Sequence, residues 1–72
     1  MLVKITSNIP YLQQLNGEHR VVEKTTVKAF LESLGIKWDE DALVVLNGKI
    51  STGQEKLKEN DRIQLLIPLA GG

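Results

Sequence analysis

With no cysteine among its 72 residues, the chain must hold its fold by apolar packing alone, and that requirement narrows the choices at once. A chain this short buries only about 60% of the surface it exposes when unfolded and cannot support two cores. One small domain is expected, with no room for a separate active-site domain. The same absence excludes a disulfide scaffold and a cysteine-based zinc site. It also means that no side chain here can act as a thiol nucleophile or hold a persulfide. Basic and acidic residues balance at nine each, so the electrostatic footprint of a general nucleic-acid binder is missing. Any partner must be recognised by shape and local charge. No apolar run approaches the roughly 20 residues that span a bilayer, and the amino terminus lacks a basic region followed by an apolar stretch. The expectation is a cytoplasmic protein that binds neither nucleic acid nor membrane.

The apolar pattern supplies the elements of that core. Leu2 to Thr6 alternates as a strand with Val3 and Ile5 facing inward. Ser7 to Gly17 is a long connection: Pro10 forces Ile9 into an extended conformation, Tyr11, Leu12 and Leu15 suit a short helical turn, and Asn16-Gly17 signals a turn. Glu18 to Lys24, centred on the β-branched Val21 and Val22, reads as a second strand antiparallel to the first. Thr25 or Thr26 can cap a helix whose apolar residues Val27, Phe30, Leu31 and Leu34 fall on one face, with Gly35 as its stop. Trp38 follows in a polar link and is expected to cap the core. Leu43 to Leu46 is a near-continuous apolar strand, turned by Asn47-Gly48 into Lys49-Ile50-Ser51. Leu57 plugs the bottom of the core. Asp61 to Ile67 closes the sheet with Ile63, Leu65 and Ile67 on the core face and Gln64 and Leu66 on the other, before Pro68 ends the ladder. Two terminal strands placed parallel and central, with one helix crossing the sheet, make an α+β, β-grasp arrangement with a mixed sheet of four to five strands. Residues 1–67 are then the domain and 68–72 a flexible tail.

No catalytic constellation survives inspection. The one histidine, His19, reads as a solvated surface residue beside Arg20, and a single histidine cannot build a Ser-His-Asp set. The six glycines fit neither a dinucleotide fingerprint nor a phosphate loop. Asp39, Glu40 and Asp41 lack the alternating ligand spacing of a calcium loop and read as a solvated acidic link. No metal site and no bound cofactor are expected.

What remains is the end of the sequence, Leu69-Ala70-Gly71-Gly72. A terminal α-carboxyl titrates near ~3.5, so at neutral pH it is a carboxylate and must be activated before anything can be transferred to it. Two glycines in front of it remove every side chain that could block entry into a narrow catalytic channel. Gly72 is therefore the expected site of covalent attachment, with Gly71, Ala70, Leu69 and Pro68 as its tail. From Pro68 the tail reaches at most about 17 Å, enough to enter another protein's active site. Leu66 and Leu69 have no evident burial within the chain and form the expected docking surface beside the tail.

Three stretches now carry a resemblance that covers the whole chain: Pro68-Leu69-Ala70-Gly71-Gly72, Asn47-Gly48 after an apolar strand, and Leu57-Lys58-Glu59-Asn60-Asp61 before the last strand. The chain resembles the ubiquitin-like sulfur carrier proteins of the MoaD/ThiS type. Asn60 stands where that family usually has glycine, and asparagine is the other residue that tolerates a left-handed turn. The resemblance implies a carrier rather than an enzyme. An E1-like adenylating enzyme would use ATP and Mg²⁺ to convert the Gly72 carboxylate into an acyl-adenylate, and a sulfur donor would turn it into a thiocarboxylate. The tail would then deliver sulfur with the large subunit of molybdopterin synthase, or serve thiazole synthase in the thiamine branch. The proline-containing ending and the long first connection look like the molybdopterin type, and the short link from Gly35 to Leu43 like the thiamine carrier. Conjugation to protein lysines, as in ubiquitin-like modifiers, is a further family role; a non-covalent β-grasp interaction domain is the alternative from another class.

Overall fold

A computed structural model describes residues 1–68. The chain forms β1 (Leu2–Ser7), a 3-10 turn (Pro10–Leu15), β2 (Gly17–Arg20), α1 (Val27–Ser33), β3 (Leu43–Leu46), β4 (Lys49–Ile50) and β5 (Arg62–Leu66). The five strands make one mixed sheet in the order β2-β1-β5-β3-β4. β1 and β5 run parallel, and the other neighbouring pairs are antiparallel. This is the β-grasp fold that the order of elements implies.

One face of the sheet is covered. Val3 and Ile5 of β1, Ile63 and Leu65 of β5 and Val44 of β3 are buried, together with Val27, Phe30 and Leu31 of α1. Full burial of one such aliphatic side chain is worth roughly 1.5 to 3 kcal/mol, and the stripe on α1 is what ties the helix to the sheet. The helix starts where Thr26 accepts a hydrogen bond from the Ala29 N–H through its hydroxyl at 3.1 Å. It stops at Gly35, whose φ of +90° is open to glycine at little cost. Ile9, extended ahead of Pro10, is also buried, and Leu12 and Leu15 of the 3-10 turn pack against the core from the side. Tyr11 instead stays 65% exposed.

The underside of the core is closed by turns that the short motifs build. Asn47 and Gly48 both take positive φ, +50° and +86°, the geometry of a tight hairpin turn. Asn47 donates from Nδ2 to Asp61 Oδ1 at 2.9 Å and accepts the Arg62 N–H on its own Oδ1 at 2.9 Å. Asp61 Oδ2 in turn accepts the Lys58 N–H at 2.8 Å, and Asn60 sits in the left-handed region at φ +69°. The hairpin turn and the turn before β5 are thus one clasp, with Leu57 buried beneath it. Trp38 caps the core, half-buried, and its ring lies on Gly53 so closely that a Cβ there would stand 2.7 Å from Cζ2.

Two expectations about strand limits are corrected. The second strand covers Gly17–Arg20, not Glu18 to Lys24. Its partner decides this: Leu2 pairs with Arg20, and after one further exchange of bonds between Met1 and Val21 the first strand is exhausted. Val21 is buried at the strand's end, Val22 is 76% exposed, and Lys24 at φ +66° turns the chain toward the helix. Gly17, expected in a turn, opens the strand opposite Ile5. At the other end β5 stops at Leu66, and Ile67 is 52% exposed rather than in the core.

Candidate functional site

The root of the tail is made where three segments meet. β1 gives out at Ser7, paired with Leu65, and Asn8 takes over its role: the Asn8 N–H donates to the Leu65 carbonyl at 3.2 Å, and its Oδ1 accepts the Ile67 N–H at 3.2 Å. A side chain thereby replaces the missing strand for one more residue. The paired register of β1 and β5 ends at Ser7 and Leu65, so Ile67 lies past it and is 52% exposed. Pro68 has no N–H to continue the ladder.

Leu66 faces away from α1, as its place in the alternation requires, and is half-buried. It pairs in register with Leu43 of β3, which is also exposed. Leu43, Leu66, Ile67 and Pro68, with Ala42, Asn8 and Asp39, line a shallow cleft of about 720 Å³. The apolar surface continues along β3 to Val45 and its cross-strand partner Ile50, which is 69% exposed. Leu43 and Ile50 are thus large apolar side chains left exposed on this face. Leu43 and Ile50 were missed by the sequence reading. Alternation through Leu43, Val44, Val45 and Leu46 carried the signal, but a continuous apolar run hides which residues face out. Leu69, Ala70, Gly71 and Gly72 lie outside the described residues.

The same open face changes character toward the start of β5. Lys4 and Arg62 pair across β1 and β5, and both are exposed. They border a second shallow cleft, of about 700 Å³, with Thr6, Gln64, Asn47 and Gly48.

His19 is not the solvated residue its position suggests. It projects to the covered face opposite Val3, with Nε2 2.6 Å from the Leu15 carbonyl oxygen and its ring edge-on to Phe30 at a centroid distance of 6.0 Å. It is a packing residue joining the 3-10 turn to the helix. Asp39, at φ +64°, and Asp41, which accepts the Lys37 N–H at 2.8 Å, shape the turn after α1. Among the described residues no group of His, Asp or Glu side chains is placed to hold a metal ion, and no helix is long and apolar enough to cross a membrane.

Residues 11–72 match the family model of the ThiS family. A search of curated proteins returned no match.

Proposed function

This chain belongs to the ThiS family of ubiquitin-like sulfur carriers, and from that premise we propose that it serves partner enzymes as a substrate, with the Gly72 α-carboxyl as the group that carries sulfur. The observation behind this reading is a Gly-Gly pair that follows β5 within a few residues in the sequence, where the end of β5 lines an exposed apolar cleft. A carboxylate oxygen of Gly72 attacks the α-phosphorus of ATP, pyrophosphate leaves, and an acyl-adenylate forms on an E1-like partner that binds the nucleotide and Mg²⁺. Sulfide released by a sulfur donor then attacks the acyl carbon, the bond to AMP breaks, and Gly72 is left as the thiocarboxylate. The carrier contributes the reactive terminus and the surface around Leu43, Leu66, Ile67 and Leu69 on which the enzyme docks; the chemistry is the partner's.

For the receiving pathway we favour molybdopterin synthesis, with the tail inserted into the synthase large subunit. The Pro68-Leu69-Ala70-Gly71-Gly72 ending and the long first connection, which holds the 3-10 turn Pro10–Leu15, support it. The second reading is thiazole formation in thiamine synthesis, supported by the compact link between α1 and β3 and by the matched family. Intact-mass measurement of the protein from its native host should show exchange of one terminal oxygen for sulfur. Deletion of Gly72 should abolish adenylation while circular dichroism stays unchanged, and undiminished adenylate formation in that variant would sink the proposal. Reconstitution of the thiocarboxylate with each receiving enzyme separately then decides the branch.

A further inference from the structure

The open face has two halves, and only the apolar one is accounted for by docking beside the tail. Cross-strand neighbours set the charge of the other. In the row that contains Lys4 and Arg62, Lys4 has Glu18 of β2 on its far side, whereas the far side of Arg62 is the neutral Asn47, whose side chain is occupied by the Arg62 N–H. The acid beside Arg62 in sequence, Asp61, is buried and committed to Asn47 and Lys58. Glu59 turns the other way and accepts the Leu2 N–H. Arg62 is thus an exposed cation whose immediate neighbours in the row, Lys4 and Asn47, are not acids; the row's one carboxylate, Glu18, lies two strands away, and the cleft that Arg62 shares with Lys4 has the neutral Thr6, Gln64 and Asn47 as its other polar walls.

We propose that Lys4 and Arg62 receive carboxylate side chains of the adenylating partner, so that an acidic patch on that enzyme meets the cationic half of the sheet while its apolar surface meets Leu43 and Leu66. The assignment rests on the carrier reading above. A tail that reaches at most about 17 Å forces the partner's nucleotide site close to Pro68, and so presses the partner's body against this end of the domain. Arg62 stands six residues before Pro68 along β5, roughly 20 Å at strand rise, within the footprint of an interface that covers about 800 Å² per partner. The cleft is shallow and open. A small ligand would leave most of its surface in water there, unlike the 70 to 90% covered in typical small-molecule sites, whereas a protruding acidic side chain needs no enclosure. Charges at such a rim act on encounter rate and register more than on the reaction step.

The test is ATP–pyrophosphate exchange by the purified adenylating enzyme of the same host, with the full chain as substrate. Arg62→Glu, Lys4→Glu and their double variant should raise KM about tenfold or more at low salt and leave kcat unchanged, and the gap should close as salt screens the contact. Arg62→Lys should retain most of the affinity, and Arg62→Gln, which adds no repulsion, should fall between. Urea midpoints for all variants separate binding from folding. A double variant with an unaltered KM at low salt, or a KM increase indifferent to salt, overturns the cationic contact. Absence of exchange with the unmodified chain would refute the carrier reading instead, so the two failures are distinct.

Discussion

Leu65 and Leu66 are adjacent, identical in chemistry and opposite in use. Leu65 is completely buried under α1, while Leu66 lies half-exposed beside Leu43 on the uncovered face. The difference comes from the strand's period of two and from the single helix, which can cover one face of a five-stranded sheet and not both. A sheet of this size therefore keeps a second face uncovered. The covered face holds the fold together; the uncovered one is where the apolar and cationic halves of a contact surface can be laid side by side.

That division is most exposed to a charge placed on each side of it. Leu65→Asp should cost more than about 4 kcal/mol, because the apolar contacts are lost and an unpaired carboxylate is left in the core. In a domain with only some 5 to 15 kcal/mol of total stability, much of the population should be unfolded. Leu66→Asp should move the urea midpoint little and weaken association with the adenylating partner. If Leu66→Asp unfolds the domain and Leu65→Asp does not, the register of β5 is shifted by one and the two faces exchange roles.

The covered face was legible in the sequence to nearly the residue. Val3, Ile5, Val27, Phe30, Leu31, Ile63 and Leu65 follow strand or helix periods and are all buried. Asn47-Gly48 and Asn60 announced their turns because so few residues accept positive φ. What stayed hidden depended on partners distant in sequence. The end of β2 was set by where β1 begins, against the β-branched preference of Val21-Val22. Ile67 continued the alternation perfectly and still fell outside the core, because β1 ends at Ser7 and Asn8 offers a side chain in its place. At the site, the outward direction of Leu66 was readable, and its neighbour Leu43 was not.

A smaller effect sharpens the contrast from below. Gly53 supports the covered face by yielding space to Trp38, and it does so at φ +89°. Gly53→Ala places a methyl 2.7 Å from Trp38 Cζ2 and 3.1 Å from Lys28 Cβ, in a backbone conformation alanine disfavours. We expect a loss of about 1 to 3 kcal/mol from overpacking and strain, visible as a lower urea midpoint and a red-shifted tryptophan emission. Binding through the open face should be intact in the folded fraction. A neutral result would mean that Trp38 has another resting place and that the cap contributes little to the core.

The smallest expected effect lies in the turn just beyond β4, where Glu55 is held by donors rather than by apolar contact. Its carboxylate accepts the Ser51 hydroxyl at 2.7 Å and the N–H groups of Thr52 and Gly53, both at 3.1 Å. Burial pushes its carboxyl upward, but the Ser51 hydroxyl and the amides of Glu55 itself, Thr52 and Gly53 outweigh it and hold it below the ordinary value of 4.5. A carboxyl whose pKa falls on folding stabilises the folded state fully above its unfolded pKa, and loses that contribution as pH drops through the folded value. Stability should therefore decline as the medium is acidified from about pH 4.5, in part through this turn. Glu55→Gln should cost about 1 kcal/mol at neutral pH, and the cost should shrink toward zero in acid, where the native carboxyl is protonated as well. Urea titrations of both proteins across that range check the sign: a deficit that stays constant with pH would assign the loss to altered turn geometry and take the charge out of the account.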